Sequence, residues 1–177
     1  MIREIQSDTE YAELTGVLRK SFDTVAKEYG LTERNAPTNP AFMTLEKLKK
    51  YMTKQVILFG LFKEGRIVGC VAVEPSKNQD DVYYIERLAV IPEERHHGYG
   101  SSLLSYAMET IREKGASTAS IGIINENRVL KEWYRSKGFT EDACKRFSHL
   151  PFEVCFMSKE VTPKGKWPGL RRFRRRS

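Results

Sequence analysis

Residues 90–104, VIPEERHHGYGSSLL, place Arg95, Gly98 and Gly100 between an apolar run and an amphipathic helix. The first backbone N–H groups of a helix have no partner inside it and carry a partial positive charge, so a junction of this kind attracts phosphate. Gly98 and Gly100 would let that backbone approach an anion closely, and Arg95 could add a charge-assisted bond from the side. A strand-to-helix turn that needs its glycines for geometry alone carries the same signature, so the motif by itself leaves both readings open. His96 and His97 share the loop, but the only other histidine is His149. No metal site is therefore predicted, and both histidines read as solvated loop residues within reach of a phosphate. Cys70, Cys144 and Cys155 are odd in number and contain no CxxC pair. That pattern predicts neither a disulfide framework nor a zinc site, only reduced, buried thiols.

Such a loop needs a strand before it and a helix after it. DVYYIERLAVIP reads as a strand stopped by Pro92, and Leu103, Leu104, Ala107, Met108 and Ile111 line one face of a helix ending near Lys114 and Gly115. ASTASIGII is the next strand, so residues 82–124 predict a parallel pair joined by a crossover helix. Upstream, a short strand precedes SDTE, a capping box of Ser7 and Glu10, and Tyr11, Leu14, Leu18, Phe22 and Val25 then recur at helical spacing. GLTERNAPTNP is a loop, and a second helix begins near Thr44 with Leu45, Leu48 and Met52 along one face. QVILFGLFKEGRIVGCVAVEP, split at Glu64 and Gly65, reads as a hairpin. NENRVLKEWYRSKG is a helix closed by Gly138, and one or two strands, FEVCFMSKEV among them, end the fold. The order predicts a mixed α/β domain in which antiparallel hairpins flank the parallel pair.

With 177 residues, 40% hydrophobic and 30% charged, the chain fits one globular domain, predicted over residues 1–163. The net charge of +7 is local: seven of the 30 cations lie in the acid-free stretch 164–177, leaving 23 cations against 23 acids in the body. This tail, KGKWPGLRRFRRRS, is predicted to be disordered. Its arginines, interleaved with Trp167 and Phe173, are the one feature that would grip nucleic acid. No apolar run reaches the roughly 18 residues of a membrane span and the start lacks a signal peptide's apolar core, so no membrane partner is predicted and a cytoplasmic location is expected.

LAVIPEERHHGYGSSLL resembles the acetyl-CoA signature of the GCN5-related N-acetyltransferases: an apolar triplet ending a strand, Pro-Glu, Arg-x-x-Gly-x-Gly, then a helix. NENRVLKEWYRSKGF resembles that family's second block, with Asn127, Tyr134 seven residues later, and Gly138-Phe139 closing it. The resemblance implies an acyl-CoA N-acyltransferase fold with helices on both faces of a mostly antiparallel sheet, its parallel pair splayed at the cofactor site. It implies that the backbone of Leu88, Ala89 and Val90 pairs with the pantetheine arm of acetyl-CoA, the cosubstrate. The pyrophosphate then rests on Arg95, His96, His97, Gly98, Tyr99, Gly100 and Ser101, while Asn127 and Tyr134 also contact the cofactor.

Acetyl transfer to an amine needs an uncharged nitrogen, a polarised carbonyl and a proton for the departing thiolate. An alkyl amine titrates near ~10.4, so something must take its proton. Glu86 is the candidate base. Strand alternation sets it with Val82, Tyr84 and Leu88, an apolar company that would favour its neutral form; pairing with a neighbouring cation is the competing role. Tyr134 is the candidate acid, although Leu130, Trp133 and Tyr134 also have the spacing of a core face. Asn127 is an N-cap. The resemblance implies that the acceptor, a small amine or a peptide or protein amine, lies between residues 29–40 and 146–153; Glu28, Glu33, Glu141 and Asp142 could attract a cation there, or simply form a solvated face. The chain is expected to act as a monomer or homodimer. The alternative function is a non-catalytic acyl-CoA-binding or nucleic-acid-binding module on the same scaffold.

Overall fold

The computed structural model describes residues 1–52 and 55–162; the basic tail predicted for 164–177 lies outside them. The strands are β1 (Ile2–Glu4), β2 (Ile57–Lys63), β3 (Arg66–Pro75), β4 (Val82–Val90), β5 (Thr118–Ile124), β6 (Thr140–Arg146) and β7 (Glu153–Glu160). They form one seven-stranded sheet in the order β1-β2-β3-β4-β5-β7-β6. Every neighbouring pair is antiparallel except β4 and β5, the parallel pair that the strand–helix–strand pattern predicts.

Helices cover both faces. Helix α1 (Asp8–Glu28) opens on the predicted capping box, with Ser7 accepting from the Glu10 N–H and the Glu10 carboxylate returning to the Ser7 N–H. With α2 (Leu45–Tyr51), it buries Leu14, Leu18, Leu48 and Tyr51 against Leu58, Ile67, Cys70, Ala72 and Ala89 of the sheet. The other face packs Val71, Val73, Ile85, Ile121 and Met157 against α3 (Tyr99–Glu113) and α4 (Arg128–Ser136), through Leu103, Ala107, Ile111 and Tyr134. β3 is covered on both sides, which is why it reads as an unbroken apolar run rather than an alternating one. Gly69 sits where it must: a Cβ there would lie 2.7 Å from the Ala89 carbonyl oxygen of β4.

Two irregularities flank β4. It pairs with β5 only from Val82 opposite Thr118 to Tyr84 opposite Ser120, although both strands continue, so the seam opens beyond Tyr84. On its other side β4 shifts register against β3 between Cys70 and Ala72. There Arg87 takes a positive φ of 52°, a backbone state that a side chain with a Cβ resists.

Candidate active site

The loop after β4 is tied down at several points. Arg95 donates from Nε to the Val90 carbonyl (3.2 Å) and from Nη2 to the Ser21 carbonyl (2.8 Å) and Thr24 Oγ1 (3.2 Å) of α1. Glu94 accepts from Lys63 Nζ of β2 at 2.9 Å, and Glu93 pairs with Lys20 of α1 at 2.9 Å. Arg95 thus anchors the loop to α1 and occupies the carbonyl of Val90, engagements that its place in the motif did not announce.

Beyond these anchors the backbone is left open. Gly98 caps α3 in the left-handed conformation (φ 79°) and supplies no side-chain acceptor. Helical bonding resumes only at Ser102, whose N–H reaches the Gly98 carbonyl at 3.0 Å. The N–H groups of His96, His97, Gly98, Tyr99, Gly100 and Ser101 have no acceptor among the described residues. His96, at φ 66°, bends the chain into this curl; His97 holds the Glu94 carbonyl through Nδ1 at 3.3 Å. Both histidines are exposed, as solvated loop residues should be. Successive free N–H groups at a helix start make a concave anion seat. From Ser101 a groove of about 450 Å³ runs along α3 past Met108 and Arg112 to Lys137 and Lys159.

The open seam lies beside this seat. On the α1/α2 face of β4, Glu86 Oε2 accepts from Tyr51 Oη at 3.0 Å and from Arg87 Nη1 at 2.9 Å. The guanidinium of Arg87 stacks over the Tyr51 ring at 3.5 Å, and its buried Nε has no partner among the described residues. The apolar company predicted for Glu86 is thus not what surrounds it. The bulge at Arg87 breaks the strand alternation, turns Leu88 to the α3 side, and leaves Glu86 between a phenol and a cation. Burial pushes the Tyr51 phenol above its ordinary value, so it stays a donor to the carboxylate. Nothing in the sequence singles out Tyr51 or Arg87, because the bulge that unites them with Glu86 has no signature there.

On the opposite face, Asn127 caps α4 by accepting from the Leu130 N–H at 3.0 Å. Tyr134 is 5% exposed, held edge-on by Trp133 (4.8 Å) and Phe139 (5.4 Å). Its hydroxyl has no partner among the described residues, and desolvation raises its pKa. Trp133 also meets the first turn of α3, 3.7 Å from where a Gly100 Cβ would stand. The two segments expected to hold the acceptor do converge: Tyr29, Leu31 and Ala36 pack with Phe152 around Ile124, the last residue of β5. Of the acids proposed to attract a cation, Glu33 is paired with Lys47 at 2.9 Å, Glu141 with Lys131 and Arg135, and Asp142 accepts from Ser158.

Residues 23–139 match the Acetyltransferase (GNAT) family. The chain belongs to this family. Among curated relatives, it is 27% identical over 124 residues to an amino-acid acetyltransferase of Pseudomonas putida, a match covering 70% of this chain but only 28% of that protein. The chain therefore spans little more than a quarter of that relative's length. Among solved structures, the ribosomal-protein-S18-alanine N-acetyltransferase of Escherichia coli superposes with a TM-score of 0.72 at 15% identity, over 94% of this chain and 96% of the other. The PaiA N-acetyltransferase of Thermoplasma acidophilum, in complex with coenzyme A, gives 0.68 at 20% identity, over 91% and 98%. The opened parallel pair, the helices on both faces and the mostly antiparallel sheet are thus the GNAT fold. One expectation fails: Cys144 is exposed, because β6 is an edge strand with every residue open to solvent. Among the described residues no helix is long and apolar enough to cross a membrane.

Proposed function

We propose that the chain transfers the acetyl group of acetyl-CoA to a primary amine by direct attack in a ternary complex. The observation that carries this reading is the meeting of an opened β4–β5 seam with an uncapped α3 start. A diphosphate fits the free N–H groups from His96 to Ser101, whose dipoles and helix end match its charge. An amide-bearing arm fits the unpaired edge of β4, where the backbone of Leu88, Ala89 and Val90 would replace the missing strand contacts; the Val90 carbonyl is already taken by Arg95.

Acetyl-CoA supplies an activated thioester, and this chain's residues handle the protons and charge. Glu86 accepts a proton from the ammonium form of the acceptor, directly or through one water. Tyr51 and Arg87 fix Oε2, so the work falls to Oε1. As the nitrogen attacks the carbonyl carbon and the C–S bond breaks, a backbone N–H of the bulged strand holds the carbonyl oxygen. Tyr134, kept protonated by burial, gives its proton to the departing sulfur. The acceptor enters where Tyr29, Leu31 and Phe152 converge at the end of β5.

Calorimetry with acetyl-CoA tests the seat, and an amine panel read by release of the CoA thiol tests the reaction. Free amino acids and peptide N-termini head the panel, because the relatives' names point to both classes. Heat on binding with thiol release for at least one amine is the expected result. Absence of heat at saturating acetyl-CoA overturns the proposal.

A further inference from the structure

Cys144 on β6 and Cys155 on β7 are direct partners in the antiparallel ladder. Opposed Cα atoms in such a ladder lie about 4.5–5.5 Å apart, inside the range that a disulfide spans. The register shift between Glu141 and Ala143 matters here, because an unbroken strand would send Glu141 and Cys144 to opposite faces. With the bulge, the Glu141 carboxylate and the two sulfurs all lie within 4.8 Å of one another. Cys155 Sγ donates to Glu141 Oε2 at 3.5 Å, and Cys144 Sγ to Asn125 Oδ1 at 3.4 Å. Cys144 is exposed and Cys155 buried, an arrangement of one accessible sulfur backed by a second.

The same residues speak against a metal ion. Lys131 Nζ lies 2.7 Å from Asn125 Oδ1 and 3.4 Å from Glu141 Oε2, and Arg135 pairs with the same carboxylate. A cation would have to displace both, whereas a sulfur anion formed during exchange gains a positive charge nearby.

We propose that Cys144 and Cys155 are a thiol–disulfide exchange site that small disulfides, glutathione disulfide among them, oxidise to a cross-strand disulfide. Cys144 loses its proton to solvent and attacks one sulfur of the disulfide; that S–S bond breaks, one thiolate leaves, and a mixed disulfide remains on Cys144. Cys155 gives up its proton to solvent and attacks the Cys144 sulfur, expelling the second thiolate. The pair is oxidised by two electrons, and the small disulfide is reduced to two thiols once its thiolates take up the released protons. Cys144 is the exposed sulfur, and burial raises the Cys155 thiol above its ordinary value and so disfavours its thiolate; the mixed disulfide therefore forms on Cys144 first. Lys131 and Arg135 lie on α4, so the change occurs beside the helix that bears Tyr134.

The test treats the reduced full-length protein with glutathione disulfide, quenches by acid and alkylation, and maps peptides without reduction; Lys145 and Arg146 let trypsin separate the two cysteines. A glutathione adduct should form on Cys144, then vanish as a peptide pair joined through Cys144 and Cys155 appears, with loss of both their free thiols and retention of that of Cys70. Cys144→Ser should abolish both stages, and Cys155→Ala should stop at the adduct. An adduct in the wild-type protein that never resolves, or a cross-link to Cys70 instead, overturns the proposal. The wild-type time course decides by itself if Cys155→Ala does not fold.

Discussion

Replacing Tyr134 by phenylalanine removes one oxygen and keeps the ring. The ring is what the core uses, through edge contacts with Trp133 and Phe139, while the hydroxyl has no partner among the described residues. Stability should therefore change by no more than about 1 kcal/mol, because no made hydrogen bond is lost. If Tyr134 protonates the departing thiolate, kcat should fall by about 10²–10⁴, the usual worth of a positioned acid. At about 1.36 kcal/mol per tenfold, that is roughly 3–5 kcal/mol added to the barrier. Burial holds the phenol protonated well past neutrality, so an alkaline limb in the wild-type pH–rate profile should persist in the variant. Thermal melting, acetyl-CoA calorimetry and turnover followed by product mass measure the three quantities. A turnover loss under tenfold, or one matched by an equal loss of acetyl-CoA affinity, would refute the assignment and leave Tyr134 a core residue.

Glu86→Gln keeps the Tyr51 bond but cannot take a proton, so turnover should fall most where the amine is mostly ammonium; a pH–rate profile of unchanged shape removes Glu86 as base. Arg95→Ala frees the Val90 and Ser21 carbonyls and should cost about 1–3 kcal/mol in a denaturant melt. It should leave the salt dependence of acetyl-CoA binding intact, whereas a flattened dependence would mean that Arg95 meets phosphate after all. Gly98→Ala, at φ 79°, should cost about 1–2 kcal/mol in stability and weaken coenzyme binding in calorimetry. The Arg3 guanidinium and the Ser7 and Gln6 N–H groups hold the Glu10 carboxyl down at about 2 from its ordinary 4.5. A depressed acid stabilises the fold above its unfolded pKa and loses that contribution as pH falls through the folded one. Melting temperature should accordingly drop between pH 4.5 and about 2 in the wild type, and less steeply in Glu10→Gln.

The elements that bury an apolar stripe were legible. Leu103, Leu104, Ala107 and Ile111 recur at helical spacing because one side of α3 meets the sheet, and the Ser7–Glu10 box announces α1 because its chemistry is local. β6 was not, since TEDACKR is an exposed edge whose only structural reason is its pairing with β7. Cys144 is exposed, against the burial expected of a reduced thiol, for the same reason. The uncapped start of α3 could be read from Gly98 and Gly100, and the pairing of Glu86 with a cation stood as an open alternative. The Tyr51–Glu86–Arg87 cluster could not be read, because periodicity assumes an unbroken strand and a single inserted residue inverts every facing after it.

The start of α3 divides its labour between side chains and backbone. The motif's charged side chains are paired within the protein: Arg95 grips α1, Glu94 holds Lys63 and Glu93 holds Lys20. Each fixes the loop so that the backbone beyond it can stay unpaired without collapsing into a further turn of helix. Backbone N–H groups carry no net charge and do not titrate, so a seat built from them should hold a diphosphate whether or not the His96 and His97 side chains are present. A coenzyme affinity, measured by calorimetry, that collapses in the His96→Ala, His97→Ala double variant would move the binding from the backbone to the side chains and remove the reason for leaving α3 uncapped.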